Sequence, residues 1–272
     1  MPINDATERA AAFADLHHGD SPLLMANAWD AGTAKSFAHL GFQALATTSA
    51  GFAAVLGRHD GNVTRDESIN HAADLIAATP LPLNADLENG FADSPEDVAE
   101  TYRIAAAAGI SGSSIEDWDP HRSEIYDLGL ARARVEAAAE AAHAGEVRMV
   151  LTARAENLLR GVDDLADTIV RLQAYQEAGA DVLYAPALTS RADIAQVVGS
   201  VDLPVNVLAL PGVPSVAELA EIKVARISVG SGFSLVAYGA IAIAAKELLE
   251  QGTYGFWQQA GAANAVKGAF GS

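Results

Sequence analysis

Short apolar runs that end in polar residues recur along this chain, and most are followed by a stretch of helical periodicity. The first run, residues 23–28, ends at Trp29-Asp30, and the helical stretch 31–40 behind it closes on Gly41. The second, residues 42–46, ends Thr47-Thr48-Ser49, and the third is residues 81–85. A helix over 95–108 closes at Gly109 before a fourth run that ends Ser114-Ile115-Glu116-Asp117. The fifth, residues 147–153, ends at Arg154, and a helix over 162–178 closes at Gly179 before the sixth, residues 181–185. The seventh is 204–208. A helix over 215–222 precedes the eighth, 226–229, which ends Gly230-Ser231-Gly232. A looser pattern over 5–17 predicts a leading helix. Glycine just past a helix is the expected residue there, because it takes the left-handed conformation without a Cβ clash.

Strands alternating with helices predict βαβ units and a parallel sheet. About eight such units in this length favour a closed (β/α)8 barrel, the TIM barrel, over an open doubly wound sheet. No GxGxxG follows the first strand, which weakens the open alternative further. No linker rich in Pro, Gly or Ser divides the chain, so residues 1–272 are expected to form one domain. The apolar run 233–245 is short for a membrane span and is expected to be a packed helix. Residues 252–272 add Phe256, Trp257 and Phe270, which need either the barrel or another subunit to pack on.

Composition narrows the function. The formal net charge is -18, a field that repels nucleic acid and anionic membranes and excludes both as main partners. The same field repels an anionic substrate, so a pocket for acids must supply its own positive charge. Cysteine is absent, which excludes disulfides and thiolate chemistry and makes the cytoplasm the expected compartment. No apolar signal-peptide core is visible near the N-terminus.

The third run delivers two acids, Asp86 and Glu88, ahead of the turn pair Asn89-Gly90. Acids at the mouth of an apolar strand are costly unless a cation sits between them, and Mg2+ takes oxygen ligands while keeping bound water. In a barrel, the strand C-termini converge on one mouth. This places Asp30, Thr48, Ser49, Asp86, Glu88, Glu116, Asp117, Arg154, Asn206 and Ser228 around it. Asp86 is expected as the direct Mg2+ ligand, with Glu88, Glu116 and Asp60 acting through water. Arg154 would clamp a substrate carboxylate, or else form an ion pair with Glu116 or Glu156. Thr48 and the amides of Ser49 and Ala50 would hold a second carboxylate or an oxyanion, or serve only as a turn. Trp29 would wall the pocket or pack in the core. Two stretches, 51–65 and 118–128, are expected as mobile covers or solvated loops, the second carrying His121, Arg122 and Glu124. The histidines at 17, 18, 39, 71 and 143 read as surface or packing residues, and no zinc spacing is present.

These residues sit in segments that together resemble the isocitrate lyase/phosphoenolpyruvate mutase superfamily, in particular its short bacterial members of phosphonomutase-like and 2-oxo acid lyase-like type. The segments are NAWDAGTAKSFAHLGFQALATTSAG, LGRHDG, NADLENGFAD, AGISGSSIEDW, LTARAENLL and EAGADVLYAPA, in this order across nearly the whole chain. The resemblance implies a (β/α)8 barrel and Mg2+ centred on Asp86, with Asp60, Glu88 and Glu116 in or near its water shell. It implies substrate contacts from Trp29, Asp30, Thr48, Ser49, Ala50 and Arg154, and a gating loop after Glu116-Asp117. It also implies a homotetramer, a dimer of dimers, with C-terminal helices exchanged between neighbours. The gating loop here, DPHRSEIYD, lacks the Cys of the isocitrate and methylisocitrate lyases and the Lys with Asn or Thr of the phosphonate enzymes. Asn84 stands where some members carry Asp. The expectation is a Mg2+-dependent carbon–carbon lyase acting on a small 2-oxo or 2-hydroxy di-acid through a pyruvate-like enolate, with Arg154, Asp60, Glu116 and His121 as candidate catalytic groups and Asn206 among the substrate contacts. The alternatives are a phosphoenolpyruvate phosphonomutase or phosphonopyruvate hydrolase and, in a different class, a non-catalytic 2-oxo acid binder.

Overall fold

The computed structural model describes residues 5–270; of the C-terminal stretch, Gly271 and Ser272 lie outside the described residues. Eight parallel strands close a barrel: β1 (Leu23–Ala28), β2 (Ala44–Thr47), β3 (Leu83–Asp86), β4 (Gly112–Glu116), β7 (Val150–Arg154), β8 (Val182–Tyr184), β9 (Val205–Leu208) and β10 (Arg226–Ser228), with β10 pairing back onto β1. Two short strands, β5 (Trp118–Asp119) and β6 (Glu124–Ile125), make an antiparallel hairpin after β4. The helices are α1 (Ala6–Asp15), α2 (Ala31–His39), α3 (Ser49–Val55), α4 (Arg65–Ala78), α5 (Pro95–Ala107), α6 (Leu128–His143), α7 (Leu165–Glu177), α8 (Arg191–Ser200), α9 (Val216–Glu221), α10 (Gly232–Lys246) and α11 (Trp257–Ala260).

Side-chain alternation along the strands sorts the chain into two cores. The outward residues, such as Leu45, Leu83, Ile115 and Leu151, pack under the helices in one large cluster. The inward ones at the strand starts, Leu23, Met25, Ala44, Ala46, Val150 and Val182, close around Phe13 of α1. Phe13 is therefore a plug in the barrel floor. Gly112 makes room for it: a Cβ there would stand 2.4 Å from the Phe13 ring. Just above the plug lies a polar layer in which Arg226 donates to Asn206 Oδ1 (2.9 Å), Thr152 Oγ1 (3.0 Å) and His17 Nε2 (3.1 Å). Arginine only donates, so His17 Nε2 must accept, and its Nδ1–H is the group that meets the Phe13 carbonyl at 2.8 Å.

Local chemistry moves several predicted boundaries. Residues 51–55 lie inside α3 rather than in a mobile cover, because Thr48 caps that helix by accepting from the Gly51 N–H at 3.3 Å. The helix expected from 162 starts at Leu165, capped by Asp164. The cover at 118–128 contains the β5–β6 hairpin and ends where Asp127 caps α6.

The largest departure is α10. It was expected to pack, but Leu235, Val236, Ile241 and Ile243 are each more than 60% exposed and only Ser234 is buried. Phe233 at its start still packs on Phe37, but the apolar residues beyond it find no covering partner among the described residues. A π-helical turn, Glu247–Gln251, lengthens it, and Gly232–Gln251 is long and apolar enough to cross a membrane by length and composition. The chain then returns, and Gly261–Phe270 lies against α2.

Two outcomes test the floor. Gly112→Ala should cost ~1–3 kcal/mol in a denaturant titration, through overpacking against Phe13, and Phe13→Leu in the same chain should recover part of it. Burial, then the adjacent Arg226 charge, lowers the His17 pKa from 6.5 to about 3. Between those values the unfolded chain takes up a proton that the native state refuses, so stability falls as pH falls. The melting temperature should drop between pH 7 and pH 5, and drop less in His17→Gln.

Candidate active site

The inward alternation that seals the floor carries Asp86, Glu116 and Arg154 to the opposite rim. Register fixes their approach: Glu116 lies level with Arg154 across the β4–β7 pair, and Asp86 lies level with Ser114 across β3–β4. The Arg154 guanidinium makes ion pairs with Asp86 Oδ1 (3.2 Å), Glu116 Oε2 (3.1 Å) and Glu156 Oε1 (2.8 Å). Glu156 is fully buried. A second cation, Arg160, reaches Glu116 Oε1 at 3.5 Å and Glu156 Oε2 at 3.3 Å, and lies 4.3 Å over the Trp118 ring. Asp86 also accepts from the Ser49 N–H (3.2 Å) and the Ser114 hydroxyl (3.4 Å).

Beside this cluster is a cavity of about 440 Å3 lined by Ser49, Asp60, Glu88, Glu116, Arg154 and Arg160, with Trp118 and Pro120 of the hairpin segment at its edge. Asp60, Asp86, Glu88, Glu116 and Glu156 stand there against two guanidinium groups. The excess acid shows in the pKa values. Burial, then the charges of Asp86 and Asp60, pushes Glu88 up to about 8. Burial also raises Glu116 well above the carboxylate range, against the pull of Arg154. Burial opposes the charge of Arg154, but Glu156, Glu116 and Asp86 outweigh it and keep the group protonated.

Among the described residues, no three carboxylates or histidines are already gathered as a metal cage. Mg2+ does not need one, since it is commonly held by one or two carboxylates and completes its shell with water. A rim with more acid than base, whose Glu88 carboxyl retains its proton to about pH 8, fits a hard cation in its donor chemistry.

Glu88, Glu116, Arg154, Ser49 and Asp60 thus line one space, and Asp86 adjoins it through its contacts with Arg154 and the Ser49 N–H. Other expected residues are not. Asp30 spends its carboxylate on the Thr33 N–H (2.7 Å) as the cap of α2 and does not line the cavity. Asn206 sits deeper, in the polar layer, where its side chain meets Ser228 (3.0 Å) and Arg226. Trp29 packs edge-on to Phe37, with ring centroids 6.2 Å apart. Thr48 caps α3, and Ala50 lies within that helix without lining the cavity. His121 borders a neighbouring pocket with Asp66 and Phe91, while its backbone N–H is tied to Asp119 at 2.8 Å. The ion-pair reading of Arg154 is realised in full, with Asp86 as a third partner. Arg160 went unread: it lies beyond the strand end, and its only sequence signal is a second arginine six positions after the first.

A second network braces the site from behind. Asp117 accepts from Tyr175 OH (2.5 Å), Arg171 Nη1 (3.2 Å) and the Glu156 N–H (2.8 Å). Arg134, fully buried, donates to the carbonyls of Asn89, Ala92 and Asp93 and lies over the Tyr126 ring. This holds the loop after β3, in which Glu88 (φ 49°) and Phe91 (φ 57°) take left-handed conformations that cost a non-glycine residue roughly 1–2 kcal/mol each.

Comparison with known proteins agrees with this geometry. The profile of the phosphoenolpyruvate phosphomutase family matches residues 13–249. A crystal structure from Burkholderia cenocepacia J2315, described provisionally as a lyase/mutase, is 48% identical, with a TM-score of 0.90 over 93% of this chain and 92% of that one. An uncharacterised protein of Mycobacterium tuberculosis is 33% identical over 81% of this chain and 82% of its own length. The 2-methylisocitrate lyase of Salmonella typhimurium is 31% identical over 65% of this chain and 64% of its own length.

Proposed function

Since the chain belongs to the phosphoenolpyruvate phosphomutase family, we propose that it is a Mg2+-dependent carbon–carbon lyase. Its substrate on this reading is a small 2-oxo or 2-hydroxy di-acid, cleaved to leave a pyruvate-like enolate. One observation carries the reading: Arg154 stands at the rim among Asp86, Glu116 and Glu156, beside a cavity that also takes in Ser49, Asp60 and Glu88. Asp86 would hold Mg2+ directly, with Glu88, Glu116 and Asp60 around its water shell, and the cation would supply Lewis-acid stabilisation of charge developing on the substrate.

The chain's own residues divide the remaining work. Arg154 supports a bound carboxylate and holds Asp86, Glu116 and Glu156 in place through its ion pairs. The Ser49 N–H, at the start of α3, fixes Asp86 in place. The hairpin beyond Glu116 brings Trp118 and Pro120 to the cavity edge, where its closing over a bound substrate would exclude water. That hairpin has no Cys and no Lys, which argues against methylisocitrate cleavage by a loop thiol and against phosphoryl transfer, and leaves decarboxylation or retro-aldol cleavage of a smaller di-acid. A cytoplasmic enzyme, free of cysteine, fits the same reading.

We also infer a homotetramer, a dimer of dimers, in which a neighbour covers the apolar face of α10. An exposed patch of this kind is what a soluble chain normally buries against a partner. Sedimentation velocity should give about four protomers, and Val236→Asp combined with Ile243→Asp should shift the protein to smaller species.

The site is tested with oxalate, a planar mimic of the pyruvate enolate. Calorimetry should detect oxalate binding that requires Mg2+. Asp86→Ala should weaken it by more than about 100-fold, beyond the loss typical of an outer-shell group, and abolish pyruvate release from a panel of 2-oxo di-acids. Full activity in Asp86→Ala would sink the assignment.

A further inference from the structure

A di-acid brings two carboxylates to the site, and Arg154 is poorly placed to serve both. Its guanidinium already has three carboxylate partners within 3.2 Å and its side chain is only 13% exposed. Arg160 is differently placed. It borders the same cavity from the segment after β7, and its side chain is 31% exposed.

Its present contacts hold it loosely. The distances to Glu116 (3.5 Å) and Glu156 (3.3 Å) exceed the roughly 2.7–2.9 Å of a strong charge-assisted hydrogen bond. Glu156 Oε2, although buried, is left without a hydrogen bond. The Trp118 ring, 4.3 Å from the guanidinium carbon, steadies the plane of the side chain without consuming its donors. What results is a planar fork of N–H groups, braced on one face and open to the cavity. A carboxylate is the ligand such a fork matches, because two parallel N–H donors meet two oxygens.

We propose that Arg160 receives the distal carboxylate of the substrate, and that it is the residue by which this site prefers 2-oxo di-acids to 2-oxo mono-acids. The assignment rests on the reading of the site as a 2-oxo acid pocket and adds the determinant of substrate class to it. Trp118 belongs to the hairpin, so the same contact places a bound distal carboxylate beneath the cover.

The test compares full-length wild type, Arg160→Gln and Arg160→Lys by calorimetry at saturating Mg2+. The ligands are oxalate, pyruvate and 3,3-difluorooxaloacetate, the last a di-acid. Oxalate has no distal carboxylate and reports on the core of the pocket alone. Arg160→Gln should bind oxalate within about threefold of wild type and lose about 10- to 100-fold of the preference for the di-acid over pyruvate, the scale of losing hydrogen bonds to a charged group. Arg160→Lys should recover part of that preference. Oxalate binding with an unchanged preference would overturn the Arg160 assignment and leave the pocket standing. Equal losses for all three ligands would make Arg160 a brace for Glu116 and Glu156, and would also overturn it. Failure of the wild type to bind oxalate would overturn the pocket and the assignment together.

Discussion

One buried guanidinium governs the rim of this barrel. Placing Asp86, Glu116 and Glu156 in a poorly solvated space costs several kcal/mol per unpaired ion, and Arg154, the one cation paired with all three, offsets part of it. The arrangement needs the β4–β7 register that sets Glu116 level with Arg154, and it needs Glu156 fixed through its N–H to Asp117. The compensation is incomplete. Glu88 lies outside the ion pairs of Arg154, and its carboxyl holds a proton to about pH 8. Chemistry and stability are therefore coupled at this end of the barrel, since the acids that suit the site for a cation are the ones that make it expensive to fold.

The floor solves a related problem by other means. Arg226 is more deeply buried than Arg154, yet its partners are the neutral groups of Asn206, Thr152 and His17. A charge surrounded by fixed dipoles is satisfied without bringing acids below the rim. The cost appears as a histidine that must stay neutral, which links α1 to pH through a single ring.

Much of this was legible in the sequence because a parallel barrel gathers every strand end onto one rim. Polar residues that terminate apolar runs, such as Asp86, Glu116 and Arg154, could be grouped without knowing which strand neighbours which. Depth was not legible. Asn206 pairs in register with Tyr184 and Arg226, below the rim, and no pattern of residue types distinguishes it from a mouth residue. Competing local roles were also hidden: Asp30 and Thr48 do double duty as helix caps, and the cap claims the side chain. Arg160 was invisible for the opposite reason, because it lies past the strand end, where only tertiary contact with Trp118 and Glu156 gives it a position. In α10 the apolar run announces burial but does not say whose surface provides it.

The Phe13 plug bears on how the chain is made. α1 is made before every strand that receives it, and those strands run from β1 and β2 through β4, β7 and β8 to β10, where Arg226 meets His17 across 209 residues of sequence. At about 5–20 residues per second, roughly 10–40 s pass between synthesis of the plug and synthesis of the last strand of its socket. Throughout that interval Phe13 has only part of its socket to pack against. Closure of the floor must wait until β10 is made, and the nascent chain depends until then on its own dilution or on a chaperone.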